Sequence, residues 1–274
     1  MLNAENYYSE EMNFRYMSNS QYNDFLRCEA MALAKIQGDW KPAPSNDFLV
    51  GSFLHAWNES PMALEEFKRN TPEIFTMKGD LRSEFRFAEE MIKTLEQDAF
   101  CFSTLGGEKE VIMTAEIGGA EWKIKIDTYK PNKAVIDLKT TRSIWDLQWS
   151  TEHRRRVSFI EQFNYWQQLA IYTEVERLTM GRDKRLDALI VAISKETPPD
   201  KAVIILDDQD RMEHELNQIR ANMPRILEVK QGFIEPTSCG RCAYCRSVKD
   251  ITEVISYKDL EPEEYINFEK EKEE

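Results

Sequence analysis

Residues Glu121 to Thr141 read EWKIKIDTYKPNKAVIDLKTT, and the fold follows from how this stretch is read. From Trp122 to Ile126 apolar and polar residues alternate. Trp122, Ile124 and Ile126 fall on one face and Lys123, Lys125 and Asp127 on the other, the two-residue period of a strand. Lys130-Pro131-Asn132-Lys133 interrupts it with turn residues, and Val135-Ile136-Asp137-Leu138-Lys139 resumes an extended apolar run, so the economical reading is a β-hairpin. We expect a register that sets Asp127 against Asp137 and Ile126 against Leu138, with a loop of about five residues. Asp137 and Lys139 then share a face with Asp127, while Leu138 turns to the core.

Two carboxylates and an ammonium on one polar spot of an apolar sheet pose an electrostatic problem, because adjacent anions repel unless a cation neutralises them. Hard Mg²⁺ or Mn²⁺ takes carboxylate oxygens, acidifies a bound water and stabilises charge on a phosphate, while Lys139 would orient or deprotonate the nucleophile. The spacing D-x9-D-x-K by itself also describes an ordinary hairpin whose Asp and Lys form a half-exposed ion pair.

Outward from the hairpin, the remaining chain reads as scaffold. Residues 1–17 form an arm without clear period. Ser18 or Ser20 can cap a helix running to Ile36, with Cys28 inside it, and a second helical run covers Asp47 to Glu59. That run carries His55 beside Leu54 and Trp57, which alone reads as a packed imidazole; Glu59 lies one turn on, as a partner for it. A helix is expected at Ser83 to Ala99 and a strand at Glu108 to Glu116, turning at Gly118-Gly119 into the Asp127 strand. Trp145, Trp149 and the cluster His153, Arg154, Arg155 and Arg156 lie in an aperiodic segment. It reads equally as a DNA-holding loop and as a surface loop with inward tryptophans. Ser158 to Leu178 reads as a long helix with Tyr165, Gln168 and Tyr172 in one row. Asp187 to Lys195 and Ala202 to Leu206 read as neighbouring core strands, and Asp208 to Val229 as a helix.

The chain has 274 residues, 42% of them hydrophobic, enough for one well-filled domain. We expect an arm at 1–17, a catalytic domain at 18–250 bearing a C-terminal cysteine cluster, and an acidic tail at 251–274. The longest apolar run, Ala188 to Ile193, is too short to span a membrane, and the acidic N-terminus lacks a basic start, so a cytoplasmic location is expected. The net charge of -13 is unusual for a nucleic-acid enzyme, although Asp259 to Glu274 supplies eight acids against two lysines. DNA contact must then be local, through clusters such as Arg154, Arg155 and Arg156.

In chain order, Gly51-Ser52-Phe53-Leu54-His55, Glu110 opening a strand, Asp127, Asp137-Leu138-Lys139-Thr140-Thr141 and Tyr165-x2-Gln168-x3-Tyr172 resemble the PD-(D/E)xK nuclease superfamily. Within it the likeness is to the RecB-type and RecE-like (exodeoxyribonuclease VIII-like) exonucleases, and it runs from about Met17 to Cys245. The resemblance implies an α/β fold with a restriction-endonuclease-like core, a mixed central β-sheet flanked by helices. It implies Mg²⁺ or Mn²⁺ held by His55, Glu110, Asp127, Asp137 and the carbonyl of Leu138, with Lys139, Gln168 and Tyr172 as catalytic residues. It further implies resection of duplex ends 5′ to 3′ for phage-type recombination. DNA, a recombination annealing protein and further copies of the chain would be the partners. A same-fold endonuclease or single-strand nuclease, and a catalytically silent DNA-binding or assembly module, are the competing readings.

Cys239-x2-Cys242-x2-Cys245 is a tight three-thiol cluster that packing rarely requires, and Cys28 is the candidate fourth ligand. Some RecB-type nucleases hold a [4Fe-4S] cluster with one Cys before the core and three after it, which is the distribution here. The closer spacing of the last two cysteines departs from that pattern and keeps Zn²⁺ and free thiols open. Cys101 is left over and expected to be buried.

Overall fold

The hairpin forms, and it is the centre of a sheet in the order β1-β2-β3-β6-β7. The computed structural model describes residues 1–151 and 154–260. His153 of the basic cluster and residues 261–274 of the expected acidic tail lie outside the described residues. Helices α1 (Glu10–Arg15), α2 (Asn19–Arg27), α3 (Glu29–Ile36), α4 (Asn46–Glu59), α5 (Pro61–Asn70), α6 (Ser83–Glu96) and α7 (Ala99–Leu105) precede the strands. Then come β1 (Glu108–Ile117), β2 (Ala120–Lys130), β3 (Ala134–Thr141) and a separate ribbon of β4 (Gln148–Ser150) and β5 (Arg155–Val157). The chain continues through α8 (Phe159–Gln162), α9 (Tyr165–Met180), β6 (Asp187–Ser194), β7 (Lys201–Ile205), α10 (Gln209–Lys230) and α11 (Ala243–Ser247). β3 and β6 run parallel while the other neighbours run antiparallel, so the sheet is mixed, as expected.

Helices cover both faces. Leu169, Ile171 and Val175 of α9 and Leu216, Ile219 and Met223 of α10 pack with Trp122, Ile124 and Ile126 in one core. Phe53 and Leu54 of α4, with Met91 and Leu95 of α6, pack with Ile136, Leu138, Val191 and Ile193 in the other. Ile126 and Leu138 therefore lie in different cores, contrary to the expectation that they pair. The reason is local. β2 and β3 pair only at Thr128–Ile136, Tyr129–Val135 and Lys130–Ala134, across a three-residue turn rather than about five, and beyond Thr128 the strands diverge. In β2 the alternation also slips by one residue here, since Ile126 and Tyr129 both belong to the α9–α10 core.

The divergence opens a fork, and the N-terminal arm fills its far end. Met17 pairs in parallel with Trp122 on the edge that β3 has left, donating to the Glu121 carbonyl at 2.7 Å and accepting from the Lys123 amide at 2.8 Å. Two buried lysines secure the arm. Lys123 Nζ lies 4.6 Å from the Tyr7 ring centroid and donates to Asn13 Oδ1 at 2.8 Å. Lys230 donates to the carbonyls of Asn13 and Tyr16 and to Gln21 Oε1 at 2.8–3.0 Å.

Two expected long helices are each broken. The first stops at Cys28, whose extended backbone (φ −169°) separates α2 from α3. The other breaks at Asn164, in the left-handed region (φ 54°), between α8 and α9. Among the described residues no helix is long and apolar enough to cross a membrane.

Candidate active site

Asp127 and Asp137 sit in the crotch of the fork. Continuing the β2–β3 register would place them opposite each other, but the pair is not made. Instead Asp127 Oδ2 accepts the backbone N–H of Leu138 at 2.9 Å, so a carboxylate replaces a ladder bond. His55 projects from α4 and brings Nδ1 to 3.2 Å from the same oxygen. From the opposite side α9 brings Gln168, whose Nε2 donates to Asp137 Oδ1 at 2.9 Å. Lys139 Nζ lies 2.6 Å from Asp137 Oδ2 and 4.9 Å from the Tyr165 ring centroid.

The α4 helix is placed by a Ser45 N-cap that accepts from the Phe48 amide, and its Ser52, His55, Ala56 and Glu59 recur at helical spacing along one wall of the cleft. Glu110, Lys125 and Tyr172 also line it. Glu110 occupies the β1 position opposite Asp127, with a positive φ of 52°, a conformation that non-glycine residues seldom adopt. Its carboxylate is paired with Lys125. The residues of the arm and of α2 and α3 close the cleft, which encloses about 660 Å³.

Burial acts against every charge here, and the partners decide the outcome. For Asp127 burial raises the pKa, but His55, Lys139 and the Leu138 amide outweigh it and hold the group at about 2. For Asp137 burial dominates and pushes the carboxyl up to about 6, despite Lys139, with Asp127 adding to the rise. Burial disfavours the Lys139 ammonium, yet Asp137 foremost, with Tyr165 and Asp127, keeps it protonated well above the usual lysine range. His55 is raised in the same way, Asp127 overcoming burial. Burial likewise raises Glu110, with Lys125 opposing it.

The donor set fits a hard divalent cation. Asp137 Oδ2 is buried against the Lys139 ammonium at 2.6 Å and, among the described residues, has no other hydrogen-bond partner. Asp127, Asp137 and the His55 imidazole are the groups of this cleft that could hold a hard cation such as Mg²⁺ or Mn²⁺.

The family model described as "PDDEXK-like domain of unknown function (DUF3799)" matches residues 18–248. The chain belongs to this family. A crystal structure of a protein from Eubacterium rectale, described as a candidate exonuclease, is 39% identical, with a TM-score of 0.90, covering 95% of this chain and 98% of that one. A second solved structure, SSO0001, is 16% identical, covering 81% of this chain and 96% of the other, with a TM-score of 0.30. No curated protein matches the chain. This DUF3799 member is therefore a PD-(D/E)xK nuclease-superfamily protein, and its mixed five-stranded sheet between helical layers is the restriction-endonuclease-like fold.

Of the residues expected in this PDDEXK-like site, the fold brings His55, Glu110, Asp127, Asp137, Lys139, Gln168 and Tyr172 to one cleft. Leu138 reaches it through its backbone N–H. Glu59 lines the wall, but His55 turns its Nδ1 to Asp127. Arg155 and Arg156 are exposed on the β4–β5 ribbon and, like Arg154 before it, do not line the cleft. Trp149 on the ribbon and Trp145 in the segment before it are exposed too, not packed inward. The cysteines Cys28, Cys239, Cys242 and Cys245 gather at a separate place.

Sequence reasoning missed Asn58 and Lys109. Asn58 Nδ2 donates to the Asp127 carbonyl at 3.3 Å and to Thr128 Oγ1 at 3.2 Å, and its Oδ1 accepts from Lys109 at 2.6 Å. Burial lowers Lys109 to about 8. The available signal was the spacing of Asn58 three residues after His55, which puts both over the same strand.

Proposed function

We propose that this chain is a metal-dependent deoxyribonuclease that removes nucleotides from DNA ends. The observation that supports the reading is the fork: Asp127 and Asp137 lie where two strands part, with Lys139 Nζ 2.6 Å from Asp137 Oδ2. Asp127, Asp137 and His55 would hold the ion, with Glu110 and the Leu138 carbonyl as further donors. When bound, Mg²⁺ or Mn²⁺ supplies a more acidic water and positive charge against the scissile phosphate.

The protein's own groups do the positioning. Gln168 fixes the rotamer of Asp137, and the Leu138 amide with the Asn58 bond fixes Asp127. Lys139, held as an ammonium, presents its remaining donors to the attacking water or a phosphate oxygen. Tyr172 closes the wall beside Gln168. The cleft, about 660 Å³, has room for a few nucleotides of one strand, and action at ends rests on the exonuclease resemblance. The exposed Trp149, Arg155 and Arg156 on the ribbon supply stacking and phosphate contacts outside the cleft.

The 5′ to 3′ direction, the role in phage-type recombination, the annealing partner and a homo-oligomeric state rest on the RecE-like resemblance. The test is linear duplex labelled at either end beside closed circular DNA, with and without Mg²⁺. Loss of the 5′ label from linear DNA alone supports the reading. Cutting of the circle replaces it with an endonuclease, and DNA binding without cleavage replaces it with a silent module.

A further inference from the structure

Away from the cleft, the sulfurs of Cys28, Cys239, Cys242 and Cys245 all lie within 4.8 Å of one another. Cys28 Sγ is 3.5 Å from Cys245 Sγ, and Cys239 Sγ is 3.8 Å from Cys245 Sγ. Two breaks in regular structure bring them together. The extended backbone at Cys28 turns its thiol out between α2 and α3, and Gly240, at φ 67°, bends the Cys239-to-Cys242 segment back on itself. Backbone N–H groups then point at sulfur. The amide of Cys242 meets Cys239 Sγ at 3.3 Å, that of Cys245 meets Cys242 Sγ at 3.4 Å, and that of Cys239 meets Cys28 Sγ at 3.5 Å. Donors so placed are those that sulfur bound to a cation accepts.

The spacing selects which cation. Four sulfurs bound tetrahedrally to one ion at about 2.3 Å stand about 3.8 Å apart, which matches the observed separations. In a four-iron, four-sulfide cube each thiolate binds a different iron and points outward from a separate corner, so the sulfurs stand roughly 6 Å apart. A group confined within 4.8 Å does not enclose that cube. We infer that Cys28, Cys239, Cys242 and Cys245 hold a single tetrahedral Zn²⁺, and not the [4Fe-4S] cluster that the resemblance implies.

The surroundings give this ion a structural task. Ala30 donates to the Thr237 carbonyl at 3.2 Å, Thr237 donates back to Glu29 Oε2 at 2.7 Å, and Arg225 clamps Glu29 at 2.8 and 2.9 Å. These bonds and the four sulfurs tie the C-terminal loop onto the α2–α3 bend. Asp24, Ala32, Lys35 and Ile36 of those two helices line the active-site cleft. The zinc is thus a clasp on the cleft wall, joining positions 211 residues apart, and its coordination is full, with no open position for substrate.

The test is metal and acid-labile sulfide analysis of the full chain, purified anaerobically without a metal-affinity step from cells supplied with both iron and zinc. One zinc per chain, no sulfide and no visible absorbance is the expected result. Exchange with Co²⁺ should then produce the intense visible bands of tetrahedral cobalt thiolate. Cys239→Ser, at an exposed ligand, should lose the metal and melt at lower temperature, whereas Asp137→Asn should keep the full complement. Iron with stoichiometric sulfide, a single iron without sulfide, or protein free of metal would each overturn the inference. If Cys239→Ser does not fold, the wild-type metal content and cobalt spectrum decide it.

Discussion

Asp127 Oδ2 accepts the backbone N–H of Leu138 at 2.9 Å, one step beyond the last β2–β3 backbone pair. A side chain thereby takes over a bond that the neighbouring strand would otherwise make, and the strands separate without orphaning a buried amide. The opening so created receives His55 from one helical layer and Gln168 from the other. The candidate site and the irregularity of the sheet are one feature.

Lys139→Ala and Asp137→Ala should each lower cleavage by at least about a hundredfold. Circular dichroism should show the fold retained, because the cores on either side of the sheet do not depend on these two groups. Full activity in either variant removes the site assignment.

The His55–Asp127 pair predicts a defined pH window in metal-free protein. Asp127 is depressed to about 2, so its contribution is present above the ordinary carboxylate range and is lost as pH falls towards 2. His55 is raised, so its contribution is full below the ordinary imidazole value, roughly 6.5, and is lost as pH rises through the raised one. Stability from the pair should peak between about pH 4 and 6.5, and His55→Gln should flatten both limbs of a melting-temperature profile. Because a metal ligand must be the neutral imidazole, apparent Mn²⁺ affinity should rise with pH above that window in wild type and much less in His55→Gln.

Asn58→Ala should destabilise the fold by about 1–3 kcal/mol in urea denaturation, since it strips a donor from the Asp127 carbonyl and an acceptor from the half-buried Lys109 ammonium. Cleavage should fall with it through displacement of Asp127. Unchanged stability would show that the Asn58 bonds carry no weight.

On the ribbon, Arg156 is paired across the strands with Trp149. Arg155→Ala combined with Arg156→Ala should weaken DNA binding and reduce the slope of log affinity against log salt by about one for each phosphate that an arginine no longer neutralises. Turnover of saturating DNA should stay near wild type, because neither side chain lines the cleft.

Alternation and turn residues made the hairpin legible, and with it Asp127, Asp137 and Lys139. What alternation does not encode is where pairing stops. The fork depends on a side chain competing with a backbone carbonyl for the Leu138 amide, and on Met17, over a hundred residues away, taking the vacated edge. The breaks at Cys28 and Asn164 were hidden for a related reason. Helical periodicity continues across both positions, and only interactions distant in sequence, such as the sulfur group for Cys28, favour the non-helical backbone. Asn58 carries no motif, and its role emerges once α4 is laid across β2.

Mn²⁺ binding followed by electron paramagnetic resonance tests most directly whether the fork holds a divalent ion. Wild-type protein should take up Mn²⁺ at the cleft, and Asp127→Ala and Asp137→Ala should each abolish that binding while leaving the fold intact. Equal Mn²⁺ uptake by wild type and both variants would contradict the account.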